Sequence, residues 1–431
     1  MNILILHRVP YPRIEYHRGI DHTLHDVTYF GKREIIASLP PDLRCTAVER
    51  PGKLSALEEA RAWLTEHPQD FDRVISMSEY ELLDAARLRE WLGVEGAPVG
   101  QVMLARDKVL MKGAVARSGL RVPRFLPLSE LIRQDGKAPW SGSTVLKPHS
   151  GASSVDVVVF DDPSKVHAAI AGKRTGVAEL DRDGADLSLF EVEEFIDGPI
   201  LHFDGLVEQG KILTLTASEY IGTCLEYARG LPIGSYQIEL SEEMEAWVAR
   251  ALDAVDIHNG SFHLEAIVDR QGERVFLEVG NRVGGADVVP TFEMATGIHL
   301  PSQELRILLQ DTVEGTLPAP PKDRRWFGWF AFPGHHLGGH LFMGFDGAGS
   351  FRGSSSAVTW HELSIGKPLP TNITYSAHEA PLAGIVGTSS PAETRRWIVR
   401  LFQSLRMRTA SPHITRGGGD SSISKAPLGS S

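Results

Sequence analysis

The sequence predicts an α/β protein, with a parallel-sheet domain at the N-terminus and a larger strand-rich α+β region behind it. Strand-like and helical runs alternate from Asn2 to about Gly100, the pattern of helices covering a parallel sheet. Beyond Thr144 strand-like runs follow one another across short glycine-containing turns, as antiparallel strands do. The 431 residues, 42% hydrophobic and 23% charged, suffice for roughly two or three domains of about 150 residues each.

In the first part Ile3-Leu4-Ile5-Leu6, Cys45-Thr46-Ala47-Val48 and Arg73-Val74-Ile75-Ser76 read as strands. Helical spacing covers Lys32 to Leu39, Leu54 to Glu66, and Tyr80 to Leu92, the last ended by Gly93. No Gly-x-Gly-x-x-Gly follows the first strand, which argues against a dinucleotide site. His17, His22 and His25 fall after that strand, where an ordinary polar loop is the expectation and a substrate role the alternative. Arg106 to Gly119 is a helix stopped by its glycine, and Thr144 to Pro148 and Val155 to Phe160 are strands. Leu189 to Ile196 is a strand ending at Gly198; Leu201 to Val207 and Lys211 to Tyr220 continue as antiparallel strands. Ser241 to Val255 and Ile298 to Leu309 have helical spacing. A strand-rich segment opens at Trp326-Phe327-Gly328-Trp329-Phe330 and runs to about Arg408. Its His335, His336 and His340 fit no metal spacing and are expected in a solvated loop. From Ser411 the composition predicts a disordered tail.

A formal charge of −11 excludes nucleic-acid binding through a general basic field. Cys45 and Cys224 supply neither a disulfide framework nor a cysteine-rich zinc site. No apolar run approaches the ~20 residues that span a bilayer, and the N-terminus lacks a signal pattern, so a cytoplasmic protein is expected. Composition and motifs leave the oligomeric state open, a homodimer being the commonest closed assembly.

Two stretches carry chemistry. Phe262 to Val268 and Arg274 to Arg282 flank Asp269-Arg270-Gln271-Gly272-Glu273, a polar turn with a glycine. A hairpin symmetric about Gln271-Gly272 sets Glu265 directly opposite Glu278, with Cβ atoms about 4.5–5.5 Å apart. Leu264, Ala266, Leu277 and Val279 are then expected on the other, apolar face. Two carboxylates that close call for a cation, and oxygen-only ligands favour Mg²⁺. The alternative is a surface pair neutralised by Arg274 or Arg282. The second stretch, His149-Ser150-Gly151-Ala152-Ser153-Ser154, joins two strands with small residues and free N–H groups, suiting a phosphate. Lys147 on the incoming strand adds a point charge; a plain hairpin with an exposed lysine is the alternative.

Taken in order, these motifs resemble the ATP-grasp superfamily of carboxylate–amine ligases, most of all the bacterial L-amino-acid and peptide ligases of secondary metabolism. The resemblance covers about Met103 to Leu309. It rests on Asp107-Lys108, Lys147-Pro148 with its Gly/Ser loop, Glu193-Glu194-Phe195-Ile196-Asp197-Gly198, His202-Phe203-Asp204-Gly205, Glu265, and Glu278 to Gly285. It implies an ATP-grasp architecture: an N-terminal Rossmann-like domain over 1–102, a two-lobed ATP-grasp domain over 103–310 with its lid at about 122–192, a C-terminal subdomain over 311–410, and the tail.

The implied activity joins a small carboxylic acid, such as an amino acid, to an amine through an acyl phosphate, with ATP as cosubstrate and Mg²⁺ or Mn²⁺ as metal. Other ATP-grasp chemistry (an acid–thiol ligase or a carboxylase) and a non-catalytic nucleotide-binding module are the alternatives. The implied ATP contacts are Lys108, Lys147, Ser150, Gly151, Ser153, Ser154, Glu193, Glu194, Phe195, Ile196, His202 and Asp204, with the backbone of Glu194 and Ile196 meeting adenine. Glu265, Glu278 and Asn281 would hold the metal, and Arg282 would bind the substrate carboxylate and stabilise the tetrahedral intermediate. The family pattern is Glu-x-Asn-x-Arg, whereas Gly280 stands two residues after Glu278 here. The offset turns Asn281 to the opposite strand face, which leaves water as the alternative ligand. Arg229 is a further candidate for a substrate carboxylate, or an exposed structural arginine.

Overall fold

The computed structural model describes residues 1–151, 154–319, 321, 323 and 325–411. Ser153 and the expected tail over 412–431 lie outside the described residues. The N-terminal domain is a four-stranded parallel sheet built from β1 (Asn2–His7), β2 (Asp26–Gly31), β3 (Thr46–Glu49) and β4 (Arg73–Ser76), in the order β3-β2-β1-β4. The strands β1 and β4 match the sequence expectation, but β2 was not anticipated. Its Val27, Tyr29 and Phe30 are buried, and it pairs with β1 along its whole length. His22 is buried rather than loop-exposed, hydrogen-bonding to the Ile20 carbonyl and to the Tyr29 hydroxyl at 2.8 Å. The helix Ala56–Glu66 begins at a capping box of Ser55 and Glu58, and Leu82–Leu92 ends on Gly93 at φ +69°.

A second four-stranded sheet, ordered β5-β8-β6-β7, consists of β5 (Phe125–Pro127), β6 (Thr144–Pro148), β7 (Val158–Phe160) and β8 (Phe190–Glu194). It forms the roof of a cleft whose floor is an eight-stranded antiparallel sheet. That floor holds β9 (Ile200–Glu208), β10 (Lys211–Ile221), β11 (Ile233–Ile238), β12 (Gly260–Val268), β13 (Arg274–Gly280), β14 (Trp326–Phe332), β16 (Ala357–Glu362) and β17 (Leu382–Thr388), and the pair β15 (Leu341–Asp346) and β18 (Arg406–Ala410) forms a separate two-stranded sheet. The order β13-β12-β9-β10-β11-β14-β17-β16 means that the C-terminal strands extend the same sheet as the central hairpin. The helix Glu242–Ala254 covers one face of the floor, its Trp247, Val248, Ala251 and Leu252 packing with Phe203, Phe262 and Phe276. Of the three C-terminal histidines, His336 is exposed as expected, while His335 is half-buried with its Nε2 2.9 Å from the Ala228 carbonyl. Among the described residues no helix is long and apolar enough to cross a membrane.

Candidate active site

The β12–β13 hairpin sets Glu265 opposite Glu278, but not through its turn: with Gly272 at φ +83°, the pairs nearest the turn, Val268 with Arg274 and Ile267 with Val275, centre on Gln271, a register that alone would face Glu265 with Leu277. The pairing then slips by one residue, so that Ala266 faces Phe276 rather than Leu277. This bulge corrects the expected apolar face. Leu264, Ala266 and Val279 are buried as the period-two rule requires, but Phe276 takes the fourth core place and Leu277 turns to the cleft beside Glu278. Both acids line a cleft of about 450 Å³ between roof and floor, a size suited to a cofactor or nucleotide.

Tyr220 O–H donates to Glu265 Oε1 at 2.8 Å, and His263 Nε2 lies 3.3 Å from the same oxygen. Behind them Asp204 accepts from His263 Nδ1 (2.8 Å) and His202 Nδ1 (2.6 Å), while His202 Nε2 meets Ser235 Oγ at 2.6 Å. Burial alone would lower the His263 pKa; the Asp204 carboxylate outweighs it and lifts the ring to about 10. Burial opposes ionisation of Asp204 too, but the two imidazoles hold its carboxyl well below the usual range. This is a correction: His202 and Asp204 do not line the main cleft. They share a face of the floor with Glu265 and His263, but sit in a small buried pocket with Ser235, Val288 and Thr291, and border the cleft through His263, Glu265 and Tyr220. Close approach of Gly284, where a Cβ would sit 2.7 Å from Asp204 Oδ1, helps seal them in.

Both expected lysines reach the cleft. Asp107 caps the helix Lys108–Arg117 by accepting from Val109 and Leu110 N–H, which aims Lys108 inward. Lys108 Nζ lies 2.9 Å from Glu278 Oε2 and donates to the Gly151 carbonyl at 3.0 Å. Burial would raise the Glu278 pKa, but Lys108 and Lys147 bring it down to about 2. Lys147 Nζ donates to Glu193 Oε1 at 2.6 Å, and its own pKa stays above the ordinary value because Glu193 and Glu191 outweigh burial. Lys112, one helical turn beyond Lys108, is fully buried; its ammonium donates to Glu191 Oε1 at 2.7 Å and to Glu193 Oε2. Sequence reasoning missed Lys112, Glu191, Tyr220 and His263. The available signal was the pair of lysines four apart on one helix and two glutamates two apart on one strand.

Gly151, Ser154, Glu193, Glu194, Phe195 and Ile196 line the cleft. The Glu194 carboxylate itself is turned to Arg124, whose Nε lies 2.7 Å away. Ser150 lies outside that lining, its hydroxyl donating to the Arg106 carbonyl at 3.2 Å. Arg229 is exposed on the cleft wall. Asn281 is a correction: its amide donates to the Ser261 and Asn259 carbonyls at 2.9 and 3.2 Å, in a separate small cavity with Glu304. The one-residue offset turned it away from the acids, and the structure does not bring it to them. Arg282 stands beside the acids, gripped through Nε by Glu79 of the N-terminal domain, which also holds Arg106. Burial would lower its pKa, but Glu79, Glu278 and Glu265 keep it raised.

Residues 141–289 match the model of the ATP-grasp domain. The chain is 25% identical over 264 residues to the L-arginine-specific L-amino acid ligase of Bacillus subtilis, a match covering 57% of this chain and 62% of that protein. Its fold is similar to the L-amino acid ligase of Bacillus licheniformis (TM-score 0.68, 22% identity, 95% of this chain and 98% of that one). It is also similar to a carboxyaminoimidazole ribonucleotide synthase from Aspergillus clavatus complexed with ATP (TM-score 0.62, 13% identity, 93% and 97% of the chains). The chain therefore has the ATP-grasp fold and carries an ATP-grasp domain.

Proposed function

We propose that this protein is an ATP-dependent ligase that joins an amino acid or a related small acid to an amine. The observation that carries the reading is the convergence of Lys108, Lys147, Glu265 and Glu278 on one cleft of nucleotide size. A relative that shares 57% of this chain is an amino acid ligase, which supports the choice of acid.

Glu265 and Glu278 form an all-oxygen donor pair, and Oε2 of Glu265 and Oε1 of Glu278 take no part in the hydrogen bonds described above. That donor set fits Mg²⁺ or Mn²⁺ carried in with nucleotide phosphates. When bound, such an ion supplies charge neutralisation for the transferring phosphoryl group. Lys147 adds a point charge from the roof and Lys108 one from the helix that packs on β13, and the Glu194–Ile196 backbone offers polar groups to the adenine edge. The acid's carboxylate oxygen attacks the γ-phosphorus; the bond to ADP breaks and an acyl phosphate forms. The free amine then attacks the acyl carbon, phosphate leaves with its oxygen, and the amine loses a proton. In this reading Arg282 stabilises the oxyanion between these steps, a contribution of about 10²–10³ in rate for one well-placed donor.

The test is ADP release from Mg·ATP with pooled amino acids, with and without an amine pool, and mass spectrometry of the products. ADP release accompanied by a new amide supports the ligase. ADP release without any adduct points to other ATP-grasp chemistry, and binding without turnover to a non-catalytic module.

A further inference from the structure

The roof strand β8 carries Glu191 and Glu193 on one face, and the neighbouring β6 sets Lys147 directly opposite Glu191. The simplest pairing would join those two. Yet the Lys147 ammonium lies 3.9 Å from Glu191 Oε1 and 2.6 Å from Glu193 Oε1, one step along the strand and on the cleft wall. The difference is Lys112. Its ammonium comes up from the helix beneath, donates to Glu191 Oε1 at 2.7 Å, and takes Glu193 Oε2 as well. Glu193 thus gives one oxygen to each lysine, and Glu191 is drawn to the buried side. Lys112 is fully buried and also lies 4.7 Å from the centre of the Phe125 ring.

We infer that Lys112 is a positioning residue for nucleotide binding: by engaging Glu191 it directs Lys147 toward Glu193 and the cleft. This rests on the reading of Lys147 as a phosphate contact. The four groups balance, two cations against two anions. Without Lys112 the remaining set is one lysine between two glutamates, with net negative charge beside the incoming phosphates. Lys147 then turns back to the carboxylate it faces in register, and its hold on phosphate weakens. Lys112 itself does not line the cleft, so it acts through its neighbours.

The proposal separates charge placement from simple support of the fold. Lys112→Met is expected to weaken Mg·ATP binding at least tenfold by calorimetry, while the KM for the acid and the amine stays within threefold. Glu191→Gln alone, which leaves Lys112 on Glu193, is expected to bind Mg·ATP within threefold of wild type. The double variant Lys112→Met/Glu191→Gln removes the competing carboxylate along with its partner and is expected to regain most of the lost affinity. If Lys112→Met does not fold, the charge-balanced double variant carries the test alone, and tenfold weaker binding by that variant overturns the proposal. Wild-type binding with equal binding by a folded Lys112→Met overturns the positioning role and leaves the nucleotide reading standing. A wild-type protein that binds no ATP overturns both.

Discussion

Glu79, just beyond the last strand of the N-terminal sheet, holds the guanidinium of Arg282 at the end of the central hairpin. The same carboxylate holds Arg106, so one acid ties the N-terminal domain to the two chain segments that border the cleft. Burial would raise the Glu79 pKa, and the two arginines outweigh it. Removing one partner of such a buried set leaves an uncompensated charge, at a cost of about 3–5 kcal/mol. Glu79→Gln is therefore expected to lower both Tm and turnover, the latter at least tenfold as Arg282 loses its orientation. Unchanged ADP release at saturating substrates would show that Arg282 needs no such support.

Of the two hairpin acids, Glu278 is the one that meets a lysine, and it is ionised at neutral pH. Glu278→Gln keeps its shape and removes its charge. Metal-dependent turnover is expected to fall by about 10²-fold or more, the several kcal/mol that metal-assisted charge stabilisation supplies. The variant's response to added Mg²⁺ or Mn²⁺, measured by titration of ADP release, checks this. Full turnover at the wild-type metal concentration would remove Glu278 from the metal set.

The bulge in β13 makes a pair of opposite expectations. Phe276 is wholly buried in the floor's core, and Phe276→Ala is expected to cost about 3–5 kcal/mol. Leu277 faces the cleft, so Leu277→Ala should cost far less stability and alter ligand affinity instead. Urea midpoints at constant m, with a nucleotide-binding curve for each variant, separate the two. The reverse order of stability effects would mean that the strand pairs without the slip.

Glu304 is buried, and its Oε2 has no hydrogen-bond partner. Burial raises its pKa from 4.5 to about 8. Between those values the folded chain keeps a proton that the unfolded chain has released, so this group's stabilisation is full below the lower value. It declines as pH rises through the upper one. Glu304→Gln is expected to flatten that decline, with its Tm advantage over wild type growing from pH 5 to pH 8.5. A constant difference across that range would place the titration elsewhere.

Much of this arrangement is legible in the sequence because local rules set it. The polar turn at Gly272 joins β12 and β13 as a hairpin, and Asp107 and Gly119 bound the helix that delivers Lys108. What is not legible depends on what covers each face. A one-residue bulge leaves no mark in composition, so Leu277 and Phe276 exchange roles unannounced. His202 and Asp204 look like cleft residues in a linear motif, but their part of the face is covered by the helix Val288–Thr296 and Gly284. Lys112 carries no local signal of its partners, because Glu191 and Glu193 come from a strand about 80 residues away.

The central claim is that an acid carboxylate takes the γ-phosphoryl group before the amine arrives. An amino acid labelled with ¹⁸O in both carboxylate oxygens tests it directly, once a productive acid and amine are found. Attack on phosphorus by one labelled oxygen, followed by its departure with phosphate, is expected to leave one ¹⁸O in each phosphate released and one in each amide. Unlabelled phosphate, or label recovered in AMP, would contradict the acyl-phosphate route.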